Sequence, residues 1–268
     1  MKIHFHKFQG NGNDFVILDN RSNKLLLSKL QIQRICNRKF GIGADGLMLV
    51  NISQKYDFEM VYYNSDGNIS SMCGNGGRCI AAFTNLIGLS DNEMVFEAYD
   101  GPHKAIIEKE IVAGKEWDVS LQLTDVNEVE ENEGYYFLDT GSPHYVEFVD
   151  KAAEIDVAHE GRKTRQSERF APDGTNVNFV ELSKERLFVR TYERGVEEET
   201  LSCGTGVAAA AIAAFLETGK EVVSIHTAGG DFKVSFTQSK GDNSKRFTNI
   251  WLRGPAEFVF EGDAVIAE

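Results

Sequence analysis

Apolar and polar positions alternate, or β-branched and aromatic residues cluster, at residues 15–18, 47–50, 58–63, 179–182 and 187–192. These runs predict β-strands. Two other segments follow a helical period. After a glycine-rich turn, Ile80, Phe83, Leu86 and Ile87 fall on one face, and Gly88 is placed to end the helix. Residues 207–216 are apolar all round, which predicts a helix buried on every side and ended by Gly219. That run has ten residues, too few to span a bilayer, and no longer apolar run exists.

The pattern occurs twice. Cys73 opens Cys-Gly-Asn-Gly-Gly-Arg, and Cys203, 130 positions later, opens Cys-Gly-Thr-Gly-Val-Ala. Tyr62-Tyr63-Asn64 precedes the first cysteine as Tyr192-Glu193-Arg194 precedes the second. Residues 15–19 echo 146–150, and residues 38–50 echo 169–181 with Asp45 at the place of Asn176, both at an offset of 131. Each helix is followed by a β-rich run and a glycine turn, 94–98 before Gly101 and 222–226 before Gly229-Gly230. An ordered repeat of this kind predicts two similar halves. The expected fold is therefore α+β, with two pseudo-symmetric domains, 1–130 and 131–268, each a curved sheet or barrel wrapped around a central helix. A linker is expected in the polar stretch 128–134, and the last strands, near 250–268, are expected to pair back onto the first domain.

Charge and composition narrow the function. The chain has 268 residues and a net charge of −13, the opposite of the basic face a nucleic-acid partner requires. The N-terminus, Met1-Lys2-Ile3-His4-Phe5-His6, has no continuous apolar segment of the signal-peptide kind. A cytoplasmic protein without membrane spans is expected. None of the four cysteines has Cys-x-x-Cys spacing, and the histidines show no metal-ligand spacing, so neither a disulfide framework nor a metal is expected. His4 and His6 share one face of a strand, which reads as half-buried surface.

Cys73 and Cys203 each stand just before a glycine-rich helix start. Helix N-termini carry unpaired N–H groups and the positive end of the dipole, which stabilise a thiolate and bind carboxylates. Cys36 and Cys79 lack that setting and read as small buried hydrophobes. Two matched cysteines suit a proton transfer in which one base serves each face of a carbon. A cysteine hydrolase, pairing one cysteine with His144, is the alternative from another reaction class, and it leaves the second motif without a role. Gly41-Ile42-Gly43-Ala44-Asp45-Gly46 fits the dinucleotide fingerprint literally, but a strand-like run follows it where a helix is required.

The ordered motifs Gly12-Asn13-Asp14-Phe15, Gly41 to Gly46, Asn64-Ser65-Asp66-Gly67, Met72-Cys73-Gly74-Asn75-Gly76, Gly141-Ser142-Pro143-His144, Thr175-Asn176-Val177, Tyr192-Glu193-Arg194-Gly195 and Cys203-Gly204-Thr205-Gly206 resemble those of the diaminopimelate epimerases. The resemblance runs from about residue 4 to about residue 258. It implies two α/β domains with the active site in a cleft between them, and conversion of LL-diaminopimelate to the meso form in lysine and peptidoglycan-precursor synthesis. It implies a homodimer that uses neither pyridoxal phosphate nor metal. Cys73 and Cys203 correspond to the acid/base cysteines, assisted by His144 and Glu193. Gly74 with Asn75, and Gly204 with Thr205, correspond to the helix-start groups that hold the reacting α-carboxylate. Asn13, Asn64, Asn176, Glu193 and Arg194 correspond to substrate-binding positions, Arg194 on the distal carboxylate. Ser142 stands where many members carry Asn, and Gly46 where some carry Gln.

Overall fold

In a computed structural model, the chain divides into two compact units, Met1–Leu121 with Gly254–Glu268, and Gln122–Arg253. The structure describes residues 1–70, 72–183, 186–219, 222–239 and 245–266. In the first unit the elements are β1 (Lys2–Gly10), β2 (Asn13–Asp19), α1 (Lys29–Cys36), β3 (Gly46–Asn51), β4 (Phe58–Asn64), α2 (Gly74–Leu86), β5 (Glu93–Ala98), β6 (Gly101–Val112) and β7 (Glu116–Gln122). In the second they are β8 (Val129–Asn132), β9 (Tyr135–Asp139), β10 (Pro143–Phe148), α3 (Val157–Arg165), β11 (Asn176–Leu182), β12 (Leu187–Glu193), β13 (Glu198–Thr200), α4 (Gly204–Thr218), β14 (Val222–Thr227) and β15 (Gly230–Gln238). The long β16 (Phe247–Val265) gives its first residues to the second unit and its last to the first.

The repeat read in the sequence is a repeat of topology. In the first unit β1 pairs antiparallel with β2, β2 parallel with β3, β3 antiparallel with β4, and β4 parallel with β5. Antiparallel β5, β6, β7 and the end of β16 complete the ring, and β16 closes it on β1. The second unit takes β8, β9, β10, β11, β12, β14, β15 and the start of β16 through the same sequence of pairings. A bridge from Val126, just ahead of β8, reaches Phe247 on β16. The fold is thus α+β, an eight-stranded barrel occurring twice.

Each barrel has a helix inside and another outside. Helix α4 touches β9, β10, β11, β12, β14 and β15, and residues 206–214 are all buried. Its alanines keep the helix thin enough to sit among strands, and alanine has the highest intrinsic helix propensity. Gly219 ends it in the left-handed conformation, φ 72°. Helix α2 is buried from Gly74 to Thr84 in the same way. Outside, Ile32, Ile35 and Cys36 of α1 pack on Val16, Leu18, Leu47 and Leu49. Val157 of α3 packs on Val177, Phe179 and Tyr192. Strands β2, β3 and β11 are covered on both faces, so they read as continuous apolar runs.

The polar stretch 128–134 is not a linker. It forms β8 and the turn into β9, with Val129 paired to Leu138 and Asn132 to Tyr135. The chain passes from the first unit to the second earlier, at the end of β7, and returns within β16. The dinucleotide-like glycine run precedes strand β3, not a helix.

Candidate active site

In each barrel the central helix starts where two parallel strands begin. In the first unit Cys73 is the N-cap of α2, with extended backbone (φ −101°, ψ 130°). Asn13, the first residue of β2, presents Oδ1 to the Cys73 sulfur at 3.6 Å. The Asn13 amide is held from behind, donating to Asp45 Oδ2 at 2.7 Å. Arg38 joins Asp45 (2.7 Å) to Asp14 (2.6 and 2.8 Å), and Lys7 adds a contact to Asp14 at 2.8 Å. Burial opposes ionisation of Asp14, but the hydrogen bonds from Arg38 and Lys7 outweigh it and hold the carboxyl well below the usual aspartate range. The loop from Gly41 to Gly46 therefore serves as a mount for Asp45. Gly46 has no room for a side chain, because a Cβ there would lie 2.4 Å from Tyr62 Cε2.

Beneath the helix start lies Arg78, fully buried. It donates to Asn11 Oδ1 (2.6 Å), Asn75 Oδ1 (3.0 Å), Gly74 O (3.2 Å) and Pro255 O (3.3 Å). Burial pushes its pKa down to about 10, which leaves it charged at neutral pH. Gly74 and Asn75 thus have their first-turn geometry braced by one side chain. Asn64 ends β4 exposed, and its carbonyl accepts from Gly67 N in a turn.

The second unit repeats the arrangement with other chemistry. Cys203 is the N-cap of α4, and its sulfur lies 3.5 Å from Thr205 Oγ1. His144 on β10 is completely buried, and its Nε2 is 2.9 Å from the same hydroxyl. Burial, with the nearby Arg194 charge, pushes the His144 pKa down to about 3. Its Nδ1 faces Asn178 Nδ2 at 3.1 Å. Asn176, at the start of β11, accepts from the Arg194 backbone N–H at 2.8 Å and donates to Ser142 Oγ at 2.9 Å. Ser142 also lies 3.4 Å from Arg194 Nη2, which makes it part of this cluster. Among the described residues the Arg194 guanidinium has no carboxylate partner. Glu193 ends β12 and accepts from Thr200 Oγ1 at 2.8 Å.

The structure gathers Asn13, Cys73, Gly74 and Asn75 at one helix start, and His144, Asn176, Arg194, Cys203, Gly204 and Thr205 around the other, while Glu193 and Asn64 stand at the ends of β12 and β4. Sequence reasoning missed Asn11, Asp45, Arg78, Asn178 and Thr191, which hold these groups in place. For Asn178 the signal was an amide inside the apolar run of β11. Cys36 and Cys79 are buried, and burial pushes the Cys36 thiol up to about 12 and the Cys79 thiol higher. His4, His6 and Glu261 gather their donor atoms within 4.8 Å, but His6 already pairs with Glu261 and His4 with Asp263.

The duplicated barrel is shared with solved structures. The chain superposes with a TM-score of 0.75 on a Bacillus anthracis phenazine biosynthesis protein of the PhzF family, at 16% identity, covering 99% of this chain and 100% of that one. A probable proline racemase from Agrobacterium radiobacter gives a TM-score of 0.70 at 14% identity, covering 99% of this chain and 93% of that one. At these identities the likeness is one of fold. The sequence comparisons go further. The diaminopimelate epimerase family model matches residues 5–116 and 136–259. The diaminopimelate epimerase of Flavobacterium psychrophilum is 49% identical over 260 residues, 96% of this chain and 98% of that protein. That of Chlorobaculum tepidum is 39% identical over 263 residues, 94% of this chain and 98% of that protein. The chain belongs to the diaminopimelate epimerase family.

Proposed function

We propose that this isomerase of the diaminopimelate epimerase family works by two cysteine bases, Cys73 and Cys203. As a family member it epimerises LL-2,6-diaminopimelate to the meso form, a step of lysine biosynthesis. In the proposed mechanism one thiolate takes the α-proton from one face and becomes a thiol. The electron pair left on carbon is delocalised into the α-carboxylate. The other thiol then delivers its proton to the opposite face and is left as the thiolate.

The observation that carries this reading is the matched pair of N-cap cysteines, each leading a buried helix with a glycine-rich first turn. A helix N-terminus favours the thiolate over the thiol. Its first-turn amides, those of Gly74 and Asn75 or Gly204 and Thr205, suit the carboxylate on which charge develops. Asn13 and Thr205 address the two sulfurs, while His144 acts through Thr205 and Glu193 stands beside Arg194. The distal carboxylate goes to Arg194, whose planar fork matches it better than an ammonium would. Asn64 and Asn176 complete the substrate contacts. No metal or other cofactor has a step in this scheme.

The same reading makes the enzyme a cytoplasmic homodimer. No helix among the described residues is long and apolar enough to cross a membrane. Incubation with LL-diaminopimelate in deuterated water tests the proposal. The expected result is meso product carrying α-deuterium. Absence of both exchange and epimerisation would overturn it.

A further inference from the structure

The hydrogen bonds behind Cys203 have only one consistent direction. The chain starts at the backbone carbonyl of Tyr145, which can only accept. The Asn178 side-chain atom 2.8 Å from it must therefore be the NH2 group. Thr191, directly across on β12, agrees: its hydroxyl donates to Asn178 Oδ1 at 2.9 Å. The amide is also clamped from above, since a Cβ on Gly206 would lie 2.4 Å from Asn178 Oδ1.

With the amide fixed, its second hydrogen faces His144 Nδ1 at 3.1 Å, so that nitrogen carries a lone pair and no proton. The ring is fully buried, and burial together with the Arg194 charge disfavours the imidazolium. A neutral imidazole has one proton, and here it must sit on Nε2. Nε2–H then donates to Thr205 Oγ1 at 2.9 Å. A hydroxyl that accepts from the ring has its own hydrogen left for another partner. The Cys203 sulfur lies 3.5 Å away.

We propose that Asn178 and Thr191 are positioning residues that lock His144 as the neutral Nε2–H tautomer, so that the Thr205 hydroxyl donates to the Cys203 sulfur. In this arrangement His144 takes no proton from Cys203. It aims a donor at the sulfur and thereby favours the thiolate, since hydrogen bonds to an ionised acceptor are the stronger ones. The proton on Cys203 travels only between sulfur and the substrate carbon. The inference rests on the reading of Cys203 as one of the two bases.

The test reads the tautomer and turnover separately. Nitrogen-15 NMR of the wild-type enzyme should show His144 neutral and protonated at Nε2. Asn178→Asp keeps the shape but cannot donate to Nδ1. It should move the proton to Nδ1 or charge the ring, and lower kcat about 10- to 100-fold with KM near wild type. Thr205→Val should lose kcat to a similar extent, and Thr205→Ser, which keeps the hydroxyl, should restore most of it. A wild-type ring protonated at Nδ1, or a Thr205→Val enzyme with wild-type kcat, would overturn the proposal. The tautomer is measured without substrate. A wild-type protein inert toward diaminopimelate would therefore sink the epimerase reading, while an Nε2–H signature would still support the hydrogen-bond chain.

Discussion

Gly76 and Gly206 occupy the same place in the two helix starts, yet the same mutation should act on them with opposite sign. At Gly206 a Cβ would lie 2.4 Å from Asn178 Oδ1 and 3.3 Å from His144 Cε1. Ordinary carbon contacts begin at ~3.5 Å, so Asn178 must retreat by about 1 Å. It cannot do so and keep its contacts to Tyr145 O, His144 Nδ1 and Thr191 Oγ1. Overpacking of this kind costs about 1–3 kcal/mol, and each buried hydrogen bond broken adds roughly 1 kcal/mol. The gain in helix propensity from glycine to alanine offsets roughly 1 kcal/mol. Gly206→Ala should therefore be destabilised by about 1–5 kcal/mol, according to whether one or all three of these bonds break. At Gly76 the nearest atoms, Cys73 Cβ, Met48 Sδ and Phe15 Cε1, are all 3.5 Å from the added methyl. Here only the propensity and a little burial act, so Gly76→Ala should gain roughly 0.5–1.5 kcal/mol. Urea unfolding of both variants beside wild type reads the difference as a shift in midpoint. Equal midpoints, or a Gly206→Ala protein more stable than Gly76→Ala, would refute the packing argument.

Arg78→Met fills the same space but gives nothing to the four acceptors that Arg78 serves. It should cost about 2–4 kcal/mol in urea unfolding, because buried acceptors on Asn11, Asn75 and the backbone lose their donor. Asp14→Asn tests the network behind Asn13. The folded Asp14 pKa is depressed, so its stabilisation is present above pH 3.8, its ordinary value, and is lost as pH falls through the folded value. The stability gap between wild type and Asp14→Asn should be full at neutral pH and shrink below about pH 4; a gap independent of pH would show that the charge of Asp14 contributes nothing.

The barrels were legible where one physical signal dominates. Strands β2, β3, β4, β11 and β12 announced themselves because their runs are apolar on at least one full face. Helix α4 did so because nothing polar interrupts residues 207–216. The strand β8 was hidden: it buries Val129 and leaves Glu131 and Asn132 exposed, so it reads as a polar linker. Helix α1 was missed although Ser28 and Gln31 form a capping box that the sequence displays. The cysteines stood out because the repeat doubled them. Their supports did not, because each depends on a partner far along the chain: Asp45 reaches Asn13, Arg78 reaches Asn11, and Asn178 reaches His144. A local pattern carries no trace of such pairings. Only Asn178 left a mark, as a polar residue where a buried strand should be apolar.

The central claim, that both cysteines act as bases, is tested most directly by making Cys73→Ser and Cys203→Ser separately and following each with LL-diaminopimelate in deuterated water. A serine hydroxyl is far too weak a base to stand in for a thiolate. Each variant should lose epimerisation, since one face of the α-carbon has then lost its base. If either variant keeps near-normal conversion to the meso form, as a mechanism relying on one cysteine would allow, the two-base account is wrong.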